Sequence, residues 1–93
     1  MPVYQVRFEE KVVKQLNKLD RPQKVLLLNW IKENLEGCTN PFQVNNAKAL
    51  AGVKNGVRYR VGRYRILATI HEKYLEIRVF QIGHRSSVYK HSS

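Results

Sequence analysis

The sequence predicts an α+β fold with elements in the order β-α-α-β-β-β, followed by a short carboxyl-terminal helix or irregular tail. Three observations carry this prediction. Apolar residues recur at helical spacing in the first third of the chain, they alternate with polar residues from Val57 onward, and a turn-rich stretch separates the two patterns. This order places a helical hairpin on one face of a largely antiparallel sheet. With 93 residues there is room for a single core, so we expect one domain over residues 1–93.

The first two elements are predicted to be a strand and an amphipathic helix. Val3 to Phe8 is short and rich in β-forming residues, which is typical of an opening strand. Glu9 to Leu19 has a helical period, with one apolar stripe and lysines on the opposite side. The apolar residues of that stripe are Val12, Val13, Leu16 and Leu19.

A second helix follows at once, so the two are predicted to form a hairpin. Asp20 is a natural N-cap, and Pro22 is tolerated in a first turn because its missing N–H has no intrahelical partner there. The helix is predicted to run to about Leu35, where Gly37 suits the left-handed residue of a helix end. Its predicted inward-facing residues are Val25, Leu28, Ile31 and Leu35.

Residues 37–56 are predicted to form a long connection, because turn-forming residues recur along them. Leu50 is its expected apolar anchor. The period then changes to two, and Gly83 breaks the last alternating run. The predicted strands are Val57–Val61, Tyr64–Ile70 and Tyr74–Ile82.

The chain is strongly basic and the charge is uneven. Its formal net charge is +10, and residues 54–93 carry 9 basic but only 2 acidic residues, against 8 and 5 in residues 1–53. Such a field favours a polyanionic partner: nucleic acid, an anionic membrane or an acidic protein. A surface kept charged for solubility is the alternative, although solubility usually relies on mixed signs.

The hairpin between the first two of these strands clusters arginines on one face. Gly62 and Arg63 suit a two-residue turn with glycine first. That register places Arg60 directly opposite Arg65, with Arg58 on the same face. Like charges in a direct cross-strand pair cost roughly 0.2–1 kcal/mol, so folding alone does not explain them.

This cluster is therefore interpreted as an anion site, most simply for phosphate, which arginine binds in a bidentate way. Arg78 adds a fourth guanidinium if the next turn centres on Glu72 and Lys73. The alternative is a solvated strand face whose arginines deter edge pairing, a task that lysine and mixed charges serve better.

Further motifs connect this face to a known family. The hairpin arginines with Tyr64-Arg65, then Ile82-Gly83-His84-Arg85 and Val88-Tyr89, resemble the RelE branch of the RelE/ParE toxin superfamily over nearly the whole chain. The resemblance implies a toxin domain that cleaves messenger RNA in the ribosomal A site. The 2′-OH attacks the adjacent phosphate and leaves a 2′,3′-cyclic phosphate and a 5′-OH.

The resemblance also implies residue roles. Arg65 is similar to the arginine that stabilises the transition state, Arg85 to the one near the leaving group, and Tyr89 to the tyrosine near the 2′-OH. Arg58 and Arg60 stand where the best-known member has lysines, and arginine stays protonated, so a base role cannot transfer to them. Tyr89 and His84 remain as candidate bases, and the choice is left open with a narrow preference for Tyr89. The predicted RNA-binding residues are Arg58, Arg60, Arg78 and Lys54.

Cofactors, compartment and partners complete the expectation. No grouping of His, Cys, Asp and Glu has metal-ligand spacing, so we expect no metal and no cofactor. Cys38 is the only cysteine, and the sequence shows neither a signal-peptide core nor a membrane span, which favours the cytoplasm. The resemblance implies an acidic antitoxin, a ribosome and messenger RNA as partners, and leaves open whether the complex with the antitoxin binds operator DNA.

Two other classes of function would account for some of these sequence features. A ParE-like protein would share the fold and inhibit DNA gyrase without nuclease activity. A non-catalytic nucleic-acid-binding module would explain the charge but not the convergence of arginines with Tyr89. Cuts within codons after brief expression would distinguish the nuclease from both.

Overall fold

The computed structural model describes residues 2–84 as two helices packed on one face of a five-stranded sheet. The sheet order is β1-β5-β4-β3-β2; β1 runs parallel to β5 and every other pair is antiparallel. The predicted α+β class is confirmed. Arg85, Tyr89 and the predicted carboxyl-terminal helix or tail lie outside the described residues. The elements are β1 (Gln5–Phe8), α1 (Glu10–Asn17), α2 (Arg21–Asn34), β2 (Ala47–Ala49), β3 (Gly56–Val61), β4 (Tyr64–His71) and β5 (Glu76–His84).

The helices bury a narrower set of residues than the sequence predicts. The buried side chains are Val12, Leu16, Leu27, Ile31 and Leu35, whereas Leu19, Leu28 and Trp30 are partly buried against the core. Val13 and Val25 are each 45% exposed, so their predicted inward placement is wrong. Residues 25–28 of α2 are all apolar, and four consecutive residues point in most directions around a helix. Only Leu27 lies on the same face as Ile31 and Leu35, at a spacing of four residues.

The long connection is anchored by Pro41 rather than by Leu50. Pro41 is fully buried, and its carbonyl accepts a hydrogen bond from the Tyr59 hydroxyl at 2.6 Å, whereas Leu50 is half-buried. Burial raises the pKa of the Tyr59 hydroxyl, which therefore stays a donor. The connection also contributes an unpredicted edge strand, β2, which pairs with β3.

The hairpin of β3 and β4 has the predicted register, with Val61 opposite Tyr64 and Arg60 opposite Arg65. Gly62 has a positive φ of +60° and Arg63 does not. This is the pattern of a two-residue turn with glycine in the first central position. Because this register is set by the turn, every later side chain on the two strands has its face fixed.

The next connection is a 3₁₀ turn, Glu72–Tyr74, rather than a tight hairpin turn. Leu75 follows in the left-handed region at φ 51°, which cannot continue a strand, so β5 begins at Glu76 and not at the predicted Tyr74. A register shift leaves Phe80 as an extra residue between Val79 and Gln81. Within residues 2–84, no helix is long and apolar enough to span a lipid bilayer.

Candidate nucleic-acid interface

The sheet face that points away from the helices carries the cationic residues, and we call it the arginine face. Its neighbours in sequence, such as Tyr59, Ile66 and Ile82, belong to the core on the other side. Because side chains alternate along a strand and paired residues share a face, the register defines its members. They are Gln5 and Arg7 on β1, Lys48 on β2, Arg58 and Arg60 on β3, Arg65, Leu67, Thr69 and His71 on β4, and Glu76, Arg78, Gln81 and Gly83 on β5.

One end of this face, which we call the near end, holds two like-charge pairs on adjacent ladders. Arg60 is the direct partner of Arg65, as predicted, and Arg58 is the direct partner of Lys48, which was not predicted. Among residues 2–84 no carboxylate forms an ion pair with Lys48, Arg58 or Arg60, and the Nε of Arg58 is buried without an acceptor. Charges so arranged repel one another, and a bound anion would relieve that repulsion.

Arg65 differs from its neighbours in being buried. It is 1% exposed, and Leu67 beside it on the same face is 5% exposed, whereas Arg60 is exposed. A guanidinium in so covered a position acts through a lower effective dielectric than one in water. The alternation pattern placed Arg65 on the correct face, but burial depends on neighbouring side chains that a strand pattern does not identify.

At the opposite end of the face, the far end, the arginines are neutralised. Glu76 is largely buried and accepts from Arg78 Nε and Nη2 at 3.0 and 2.8 Å and from Arg7 Nε at 3.0 Å. Arg78 pairs with Thr69, four residues along β4 from Arg65, a separation of about 13 Å at 3.3 Å per residue. The structure therefore places Arg78 on the predicted face but not beside the other arginines.

Lys54 and His84 also lie apart from the near end. Lys54 is exposed in the connection before β3, at the end of that strand remote from Arg60. His84 pairs with Tyr64, whose ring it meets edge-on at 5.7 Å between centroids. By alternation, His84 and Tyr64 lie on the helix side of the sheet, whereas Arg65 lies on the arginine face.

Sequence reasoning missed two residues at the near end, Asn46 and Lys48. Together with Arg58 and Arg60 they line a small cleft of about 100 Å³ between β2 and β3. The only sequence signal was the alternation of Ala47, Lys48 and Ala49, which is too short to indicate a strand within a turn-rich stretch.

Other chemistry is scarce in the described part of the chain. Residues 2–84 contain no group of three or more His, Cys, Asp or Glu side chains placed to hold a metal ion. The Cys38 thiol is half-buried, and burial raises its pKa, so it is not an activated nucleophile. The functional groups that this face offers to a ligand are therefore mainly cationic side chains.

The chain resembles one known protein family and several solved structures. Residues 6–89 match the family model described as the ParE toxin of the type II toxin–antitoxin system, parDE. No curated protein gave a significant sequence match. Among solved structures, the chain is similar to the RelBE2 toxin–antitoxin complex of Mycobacterium tuberculosis, with a TM-score of 0.77 and 23% identity over 92% of this chain and 95% of that one.

Two further solved structures share the fold. The archaeal RelE–RelB complex of Pyrococcus horikoshii aligns with a TM-score of 0.73 and 24% identity, covering 90% of this chain and 97% of that chain. The isolated RelE toxin of Escherichia coli aligns with a TM-score of 0.66 and 21% identity, covering 97% and 95%. At these identities the similarity establishes the fold.

Proposed function

The chain belongs to the ParE toxin family of type II toxin–antitoxin systems, and from that premise we propose that it is a ribosome-dependent messenger RNA endoribonuclease of the RelE type. The observation that carries this proposal is the concentration of like-charge pairs at the near end of the arginine face. Arg60 opposes Arg65, and Arg58 opposes Lys48, at a cost in folding that a phosphate-binding role explains. The described relatives of RelE type support the choice through their shared fold.

The proposed reaction uses the substrate's own nucleophile. The 2′-oxygen of the messenger forms a bond to the adjacent phosphorus, and the bond from phosphorus to the 5′-oxygen breaks. The 2′-OH proton passes to a base, and the departing 5′-oxygen receives a proton. The products are a 2′,3′-cyclic phosphate and a 5′-OH. We propose no metal for this reaction, because the nucleophile is already part of the RNA.

Arg65 is proposed to stabilise the charge that develops on the pentacoordinate phosphorus. Its position in a covered site opposite Arg60 supports this role, because fixed charges act most strongly where water is excluded. Arg85 is proposed to act near the leaving oxygen. Arg58, Arg60, Lys54 and Arg78 are proposed to hold the RNA backbone, with Arg78 contributing least because Glu76 pairs with it.

Tyr89 is the proposed base. Guanidiniums that lay close to the Tyr89 hydroxyl would favour the phenolate and so lower its pKa. His84 is the other candidate, but it packs edge-on against Tyr64 on the helix side of the sheet, away from Arg65. This placement supports a packing role for His84 and strengthens the preference for Tyr89.

As a member of a toxin–antitoxin family, the chain is proposed to act in the cytoplasm and to be neutralised by a cognate antitoxin. A toxin of formal charge +10 is complementary to an acidic antitoxin, partly disordered until it binds. Complexes of RelE-type toxins with RelB are among its structural relatives. Operator binding by the complex is left open.

A second candidate is inhibition of DNA gyrase, as the ParE name of the matching family model suggests. The two candidates predict different damage. Sequencing of 5′-OH RNA ends from cells that briefly express the chain should reveal discrete cuts within codons. Intact messages together with altered plasmid supercoiling would instead support the ParE-like function.

Dependence on the ribosome is a second test of the proposal. Within residues 2–84 the arginine face presents cations but no strong acid–base pair, so substrate orientation should come from the ribosome, an effect worth several kcal/mol. We expect purified protein to cut programmed ribosomes and to leave free RNA almost intact. Efficient cleavage of naked RNA at ordinary concentrations would contradict this.

A further inference from the structure

The cleft between β2 and β3 has no role in the proposed cleavage step. It is lined by Asn46, Lys48, Arg58 and Arg60 and has a volume of about 100 Å³, room for about three water molecules at 30 Å³ each. Because β2 is the last strand of the sheet, the cleft lies at its edge. It is small, strongly cationic and accessible from the side.

Three cations converge on this cleft and none has a carboxylate partner among residues 2–84. Lys48 and Arg58 are direct cross-strand partners, and Arg60 lies two residues further along the same face. The buried Nε of Arg58 has no acceptor within the described chain, although a buried donor normally has one. A bound anion would meet that donor and relieve the repulsion between Lys48 and Arg58.

Asn46 fixes the edge of the cleft through its backbone. It adopts the left-handed conformation at φ 70°, which asparagine tolerates better than most residues. Its carbonyl accepts a hydrogen bond from the Arg60 N–H at 3.3 Å, so the main chain at this point is held by β3 and the amide side chain is left to line the cleft.

We propose that this cleft is a second phosphate subsite, which binds a backbone phosphate next to the one that is cleaved, with Lys48 and Asn46 as its distinguishing residues. Lys48 on β2 lies two strands across and two residues along from Arg65 on β4, about 12 Å at 4.8 Å per strand and 3.3 Å per residue. The two sites therefore suit near neighbours on one RNA strand. The proposal rests on the proposed function in taking RNA as the polyanion and the phosphate at Arg65 as the one that is cleaved, whereas binding at the cleft itself is measured without cleavage.

The test measures binding without cleavage. A 2′-O-methyl RNA oligonucleotide lacks the attacking hydroxyl, so its affinity reports binding without cleavage, and the loss in a Lys48 variant reports the subsite. We expect Lys48→Gln to weaken its binding by roughly threefold to tenfold and to reduce the slope of log K against log salt by about 0.7, the share of one single-strand phosphate. Lys32→Gln is the matched control, because Lys32 is exposed on α2 and should leave both quantities unchanged.

A second variant tests the cleft without removing a cation. Asn46→Asp keeps a residue that tolerates the left-handed backbone but brings a carboxylate to the phosphate. We expect it to weaken binding at least as much as Lys48→Gln. Circular dichroism should show both variants folded, since Asn46 and Lys48 are exposed.

The outcomes separate this proposal from the proposed function. Equal losses in Lys48→Gln and Lys32→Gln would overturn the subsite, since only net charge would then matter. Unchanged RNA binding together with weakened binding of polyglutamate would overturn it in favour of a carboxylate-bearing protein partner. If the slope change is found but the unaltered protein cuts no message on ribosomes, the subsite stands and the nuclease proposal fails.

Discussion

The two ends of the arginine face contain the same kinds of side chain in opposite electrostatic situations. At the far end, Glu76 holds Arg7 and Arg78 at 2.8–3.0 Å, so their charges are compensated within the fold. At the near end, Arg60 and Arg65 are direct partners of like charge, as are Lys48 and Arg58, and no carboxylate of residues 2–84 is paired with Lys48, Arg58 or Arg60. The far end compensates its arginines with a carboxylate of the sheet, whereas the near end places like charges directly opposite one another.

This difference shows that a count of arginines on a strand face does not by itself locate an anion site. Arg78, like Arg60, is an arginine on an alternating strand, and it lies on the predicted face. What separates the two is a single carboxylate, which β5 places two residues before Arg78 on the same face. The following predictions test whether the two ends differ in function as they do in electrostatics.

The largest expected effect concerns the proton transfer that the proposed cleavage requires. Tyr89→Phe keeps the ring for stacking and removes only the hydroxyl, so we expect single-turnover cleavage on programmed ribosomes to fall by about 10²–10⁴-fold. His84→Gln should fall by less, because His84 packs against Tyr64 on the helix side. Full activity in Tyr89→Phe beside an inactive His84→Gln would reverse the assignment, and equal losses would mean that both residues share the proton.

The two ends are compared directly by the pair Arg65→Gln and Arg78→Gln. We expect Arg65→Gln to lose about 10²–10³-fold in the same cleavage assay, the usual cost of removing one transition-state donor. Arg78→Gln should lose no more than about threefold, since it lies beyond a Debye length from Arg65 and its charge is already paired.

Because Arg65 is buried, the folding of its variants must be measured alongside their activity. Activities should be normalised to the folded fraction from circular dichroism, and Arg65→Lys, which keeps the charge but loses the bidentate geometry, should be intermediate in rate. Equal losses in Arg65→Gln and Arg78→Gln would remove the functional distinction between the two ends.

The far end should show its role in stability. Glu76→Gln removes the carboxylate shared by Arg7 and Arg78, and we expect a loss of about 1 kcal/mol, kept small because both arginines are substantially exposed. For a domain of this size that corresponds to a melting temperature lower by roughly 4–8 °C. Cleavage should be unchanged in the folded protein.

Glu72→Gln is the control for this stability measurement, because Glu72 is an exposed carboxylate on the adjacent 3₁₀ turn. It should melt within the error of the unaltered protein. A Glu76→Gln variant that is equally stable but poorly active would assign the far end to RNA binding instead.

The smallest expected effect is on the stability of the near end. Arg60→Gln relieves repulsion from Arg65, so the free energy of unfolding should stay unchanged or rise by about 0.2–1 kcal/mol while toxicity is lost. Denaturant unfolding and growth after induction measure the two quantities. A clear drop in stability would identify the arginines as structural and contradict the anion site.

The local features of this protein were determined by the sequence itself. Gly62 and the alternation on either side of it were enough to specify the β3–β4 register, because a two-residue turn leaves few ways to pair the strands. The same pattern predicted the face of Arg58, Arg60 and Arg65. These quantities depend on chain periodicity, which a sequence displays directly.

Other features were decided only by tertiary structure, because they depend on residues distant in sequence. The choice of Leu27 over Val25 as the buried residue of α2 follows from what the sheet presents to the helix. The cleft requires β2, which is too short to be stable alone and forms by pairing with β3. Burial of Arg65 and compensation of Arg78 by Glu76 likewise depend on side chains brought together by folding, and no local period encodes such contacts.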